Sequence, residues 1–362
     1  MYKQYFYLIT TCILCSFLFS RSMEFTSAKT YARVERNLEK AEEFGVLALE
    51  IEPDNSYVPF VLAKEVYRPQ KKRIKAGRMF VEALNRPDIE LRKEGGQSFR
   101  RGDDWIYTVH EATVLFGSDW YNYGIDAMEK KNYDDAIEHF DIASKLDPSL
   151  TSNCYSNVAD IYFYDKQDPA KAIEYLDIAL GNVDDENLIT TLNIRKASYY
   201  RKNKEPQKAL EILSSVPEEN LSLNAKEELF FVHMDNDDCE SATSLGESLF
   251  IAMEDDPDYP MSKISGLAYN IALCYKLKAD LLYNDVIDYL ASEDKTNDQT
   301  NSALEKCDSS KRYYKSAKNY FRSSLDYEEE PSEVAKAYKK EMRAMARKID
   351  DMIIPPLENL LK

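Results

Sequence analysis

Apolar and small residues recur along this chain every three or four positions, the spacing of amphipathic helices, and the stretch from Asp119 to Pro148 displays the unit most plainly. At about 100° per residue, Trp120, Tyr123, Gly124 and Ala127 share one helical face, and Ala136, Phe140 and Ala143 share a face of the next helix. Those two faces must meet. Gly124 and Ala136 are expected to be small because two helix backbones approach each other there. The intervening Lys131-Asn132-Tyr133-Asp134 is short and polar, so the helices are antiparallel neighbours, and Pro148 stops the second.

The hairpin recurs. With the alanine that opens its second helix as the ruler, the series runs Ala41, Ala76, Ala136, Ala172, Ala209, Ala242 and Ala317, at gaps of roughly 35, 60, 36, 37, 33 and 75 residues. Four gaps are one repeat long, and the other two are a repeat plus an insertion. The unit at Ala242 is the least regular, because Gly246 stands where a large residue is expected. Ser27 to Glu52 carries one amphipathic pattern, while Gly95, Gly96 and Gly102 predict a loop over 87–104. Helical periodicity returns over 105–116 and runs into the helix of Trp120. Beyond Tyr275 a helical extension precedes a polar loop at 292–298, and residues 332–353 read as one long helix ended by Pro355-Pro356. The expected organisation is a leader or short anchor over 1–22, hairpins over 23–86, an insertion with a linker helix over 87–116 and central repeats over 117–262. A hairpin over 263–330 follows, with an insertion at 278–310, and then a capping helix and tail over 331–362.

The order Trp120, Tyr123, Gly124, Ala127, Ala136, Phe140, Ala143, Pro148 resembles the tetratricopeptide repeat, with Tyr123 in place of its leucine and Ala127 in place of its first aromatic. The resemblance implies an all-α fold, a solenoid of helical hairpins wound as a right-handed superhelix with a C-terminal capping helix and no strands beyond chance. It also implies a scaffold that binds a protein or peptide segment in its concave groove. The family's clamp for chaperone tails is absent, because Tyr121 and Ile125, then Asn157 and Ile161, replace its Lys-Asn pairs. Ile125 points about 100° away from the buried stripe, beside Tyr121 and Met128, and Ile161, Ser198 and Phe231 take its place in the next three units. Asn157, Tyr164, Ile194 and Arg201 flank this ladder. Either the ladder lines a partner-binding groove, or it packs on the first helix of the neighbouring repeat.

Composition narrows the partners. The net charge of −17 and pI near 4.8 weigh against nucleic acid and anionic membrane surfaces, which demand a basic face. Residues 4–20 carry no charge between Lys3 and Arg21, the pattern of a secretory leader, with cleavage expected after Ser22. Acylation at Cys12 and retention as a short membrane tether are the alternatives, and all three place the protein in the periplasm or outer cell envelope. Cys154, Cys239, Cys274 and Cys307 have no disulfide-framework or zinc spacing. His110, His139 and His233 are far apart, and no phosphate loop or nucleophile elbow occurs, so neither a cofactor nor an enzymatic activity is expected. Three readings follow: a non-enzymatic interaction scaffold, an outer-membrane carbohydrate-binding lipoprotein that uses some of the 26 tyrosines, or the regulatory subunit of an enzyme.

Overall fold

The computed structural model describes residues 22–93, 95–101, 104–216, 221–328 and 330–362, so the apolar N-terminal run and Cys12 lie outside the described residues. The chain divides into two compact units, one ending at Ile189 and one beginning at Thr190. That division falls inside the stretch 117–262 read from the sequence as one array.

The first unit is a series of helical hairpins with one interruption. Its helices are α1 (Met23–Thr30), α2 (Leu38–Ile51), α3 (Tyr57–Val61) and α4 (Arg73–Asn85), then α5 (Val109–Val114), α6 (Gly117–Glu129), α7 (Tyr133–Leu146), α8 (Thr151–Asp160) and α9 (Pro169–Leu180). Wider helical turns at Tyr31–Glu35, Leu62–Tyr67 and Ile161–Asp165 extend α1, α3 and α8. The single pattern over 27–52 is therefore two helices. Arg36 reverses the chain at φ 54°, and the Asn37 side chain accepts from the Lys40 amide to start α2. Ser22 caps α1 in the same way, and its own amide and hydroxyl donate to Glu52 at 2.7 and 2.5 Å.

One turn geometry generates the hairpins. Arg36, Lys71, Lys131, Gln167, Lys204 and Asp237 all have positive φ, and each stands five positions before a ruler alanine: Ala41, Ala76, Ala136, Ala172, Ala209 and Ala242. Every one of those alanines has no exposed surface. After the left-handed residue, the amides of Lys72, Asn132, Glu205 and Asp238 bond at 2.9–3.0 Å to carbonyls five residues back, closing the first helix. The carbonyls of these same four residues then accept from Ala76, Ala136, Ala209 and Ala242 to open the second. Glycine is the usual residue in this conformation, yet none of the six is glycine.

The glycines serve elsewhere. A Cβ on Gly124 would lie 2.6–2.9 Å from the Phe140 ring, so this glycine makes room for a ring rather than for a helix backbone. Gly45 and Gly246 sit four residues after their ruler alanines, where Phe140 sits in its own unit, and the vacated space is filled by Leu62 and by Phe230 with Ile271 respectively. The apparent irregularity at Gly246 is thus a size exchange that keeps the core filled. Gly77 receives the indole of Trp120, whose Nε1 would be 2.3 Å from an added Cβ.

The interruption over 87–116 is not a loop followed by a helix. Strands β1 (Phe99–Arg101) and β2 (Asp104–Ile106) form an antiparallel ribbon that pairs Arg100 with Trp105, a local exception of two three-residue strands within the all-α class. Trp105 alternates with the buried Ile106, so its helical periodicity was coincidental over so short a run. Helix α5 begins only at Val109, where Thr108 and Glu111 form a capping box.

In the second unit α10 (Glu186–Lys202), most of which lies beyond Thr190, precedes α11 (Pro206–Ser214), α12 (Leu223–Asp235) and α13 (Cys239–Glu254). Two long antiparallel helices follow, α14 (Met261–Ala291) and α15 (Asn297–Asp326), of 31 and 30 residues. The expected insertion at 278–310 is the continuation of both helices, so Ala317 is buried about two-thirds of the way along α15 instead of opening it. Thr296 caps α15 through a box with Gln299. Helix α16 (Glu333–Lys348) packs on α15 and runs through a wide turn into α17 (Ile354–Leu360). Pro355 and Pro356 do not end the helix. They occupy the first turn of α17, the place in a helix where proline's fixed φ and missing amide donor are best tolerated. Among the described residues all four cysteines are free.

Replacing Lys131 by valine should destabilise the first unit by about 1–2 kcal/mol, because a β-branched residue resists positive φ, while Lys131→Gly should be neutral or stabilising. Urea unfolding of both variants checks this. Ala136→Leu should destabilise by about 1–3 kcal/mol through overpacking, read in the same measurement.

Candidate functional site

The ten ladder residues divide between the units. In the first unit Tyr121, Ile125 and Met128 lie half-buried on α6 against the core. The Tyr121 ring is 5.6 Å from Phe140, and its hydroxyl accepts from Asn157 Nδ2 on α8 at 3.1 Å. Asn157 Nδ2 also donates to the Asn153 carbonyl at 3.0 Å. Ile161 has no exposed surface and belongs to the core cluster, so it is a packing residue that a partner cannot touch. Tyr164, one turn further on, is 63% exposed, with the Phe163 ring 4.9 Å away edge-on.

In the second unit Ile194, Ser198 and Phe231 are half-buried, Ile194 against the cluster of Ala197, Ala209 and Leu213. Arg201 donates to Glu228 at 2.6 Å and to Asp235 at 3.2 Å, and its guanidinium lies 5.2 Å from the centre of the Phe231 ring. It ties α10 to α12. The side-chain donors of Asn157 and Arg201 are therefore committed inside the fold, because neighbouring first helices come close enough to use them.

Two further surfaces escaped sequence reasoning. Trp105 and Tyr107, two apart on one face of the ribbon strand and its extension, are 50% and 49% exposed and stack at 6.1 Å. A cleft of about 860 Å³ between α15 and α16 is lined by Lys311, Arg312, Lys315, Lys318, Arg343 and Arg347, against the carboxylates of Glu305, Asp308 and Asp350. The signal for it was a three- and four-residue spacing of cations on α15 and α16, hidden by the net charge of −17. A second cleft, of about 680 Å³ in the first unit, is also lined by cations. There Arg73 pairs with Asp126, and Lys72 and Lys75 pair with Glu42, so much of its charge is neutralised.

That second cleft borders His139, which is nearly fully buried with Nδ1 unpartnered. Burial holds its pKa below the ordinary 6.5. His110 instead caps α4, with Nε2 2.9–3.0 Å from the carbonyls of Ala83 and Arg86. Among the described residues no group of three or more His, Cys, Asp or Glu could hold a metal ion, and no helix is long and apolar enough to cross a membrane.

No protein-family model matches the chain, and no curated protein does. Among solved structures, the C-terminal part of a tetratricopeptide repeat-containing protein from Cytophaga hutchinsonii is similar at 16% identity and a TM-score of 0.42, over 87% of this chain and 98% of that one. YrrB, described as a tetratricopeptide protein with an unusual peptide-binding site, is similar at 16% identity and a TM-score of 0.41, over 61% and 90%. A tetratricopeptide repeat protein from Parabacteroides merdae is similar at 14% identity and a TM-score of 0.34, over 89% and 100%. The helical hairpins described above rest on this chain's own geometry, on the ruler alanines with no exposed surface and the ring seated against Gly124.

Ile161→Asp should destabilise the first unit by roughly 3 kcal/mol or more, since the carboxylate has no partner in that core; thermal unfolding reads it. His139 gives a pH dependence of known sign. Its folded pKa is depressed, so the unfolded chain binds the proton more tightly and stability falls as pH drops through about 6.5. His139→Phe should flatten that part of the profile of unfolding free energy against pH.

Proposed function

We propose that this protein is a non-enzymatic interaction scaffold of the cell envelope that binds a protein or peptide segment along the first helices of its hairpins. The observation that carries the reading is Tyr164, a large aromatic left mostly exposed at the end of a face on which Tyr121, Ile125 and Met128 are only half covered. A rigid hairpin face with an exposed aromatic suits an anchor contact with a partner chain. Export is part of the proposal and rests on the uncharged run over 4–20. Cleavage after Ser22 would remove the cap of α1, a change that costs about 1 kcal/mol, so a mature chain that keeps Ser22 would be more stable than one that starts at Met23. Mass spectrometry of the native protein identifies its N-terminus.

A second reading, carbohydrate binding, is favoured by the exposed, stacked Trp105 and Tyr107, since sugar rings dock on aromatic faces of this kind. A glycan array probed with wild type and Trp105→Ala separates the two readings.

For the scaffold reading, Tyr164→Ala combined with Met128→Ser should lose proteins that the wild type retains from envelope extract, with no more than a few degrees' change in melting temperature. Equal retention by both forms would place the partner elsewhere.

A further inference from the structure

We propose that the cleft between α15 and α16 is a docking site for an acidic peptide segment of a partner protein. Six cationic side chains line it against three carboxylates, in a chain whose overall charge is −17. Lys311 is held by Asp350 and Asp308, and Arg312 donates to Ser309 at 3.0 Å. Lys315, Lys318, Arg343 and Arg347 have no ion-pair partner among the described residues. Four uncompensated cations on two packed helices repel one another, and an acidic ligand would relieve that repulsion.

The distribution of charge selects the ligand. Along α15 the cations run from Lys311 to Lys318, about 10 Å at the helical rise, which matches about three residues of extended chain. The cations are spread over that length instead of converging on a point, so they suit a series of carboxylates better than a single phosphate. Between them the half-buried Ala346 and the aliphatic stems of the lysines and arginines offer apolar contact for side chains that alternate with the acids. Nucleic acid fits less well. The cleft is short, its one aromatic, Tyr314, is fully buried and so gives bases nothing to stack on, and the surrounding acidic protein repels a long polyanion. This site lies on other helices than the face of Tyr164 and does not depend on it.

The probe is a fluorescein-labelled decapeptide of alternating Glu and Leu, titrated with the full-length chain and read by fluorescence anisotropy. The expected result is saturable binding that the Gln-Leu peptide does not show. Lys315→Gln with Arg343→Gln should weaken it about tenfold, and neither change disturbs the core because both side chains are exposed. The control pair Lys202→Gln with Lys204→Gln alters net charge equally and should leave affinity unchanged. Equal weakening by both pairs would reduce the effect to overall charge and overturn the proposal. Tighter binding of inorganic phosphate or of a labelled oligo-dT at the same residues would also overturn it, by assigning the cleft to another anion. Tyr164→Ala should leave this binding intact, which separates failure here from failure of the scaffold reading.

Discussion

A fully buried alanine set five positions after a left-handed turn residue is the constraint on which six helical reversals among the described residues depend. It requires a reversal that brings the second helix back at the right height, and the left-handed residue five positions earlier supplies it at Arg36, Lys71, Lys131, Gln167, Lys204 and Asp237. The coupling is geometric. A left-handed residue closes the first helix through its neighbour's amide, and that neighbour's carbonyl opens the second, so the turn and the buried alanine cannot be moved independently. The long hairpin of α14 and α15 is the exception that shows the alternative. There the helices run on for many further turns, the connection is a capped loop at Thr296, and Ala317 is buried far from any turn.

Once hairpins stack, polar groups on their first helices find each other before they find a partner. Tyr121 with Asn157, and Arg201 with Glu228 and Asp235, are such contacts between consecutive hairpins. What remains for recognition is the residue that stacking leaves uncovered, and Tyr164 is the clearest instance on the proposed face. The same logic holds for charge. Cations near the turn of the second hairpin meet Asp119, Asp126 and Glu42 and are largely neutralised, while Lys315, Lys318, Arg343 and Arg347 on α15 and α16 have no ion-pair partner among the described residues. A strongly negative net charge describes the sum, and a binding cleft depends on the local remainder.

The period, the helical class, the ruler alanines and the terminal helix were legible in the sequence because each follows from spacing along one chain. Spacing says which residues share a face, and burial of that face then follows from the hydrophobic effect alone. Ala41 as the opening of a second helix implied a turn before it, but the place of that turn at Arg36 was not legible, since a left-handed turn made by a non-glycine residue has no compositional mark. The ribbon at 99–106 was missed because three-residue strands are too short to show a period.

Tertiary structure decided everything that depends on which face meets which. It made Ile161 a core residue and left Tyr164 outside, although both read as members of one surface. It put the Phe140 ring, rather than a helix backbone, against Gly124, and let Phe230 fill the space at Gly246. It brought the cations of α15 and α16 to one cleft from positions some thirty residues apart. A sequence lists side chains in order along a line, whereas recognition depends on what is left exposed and unpaired after the helices have packed.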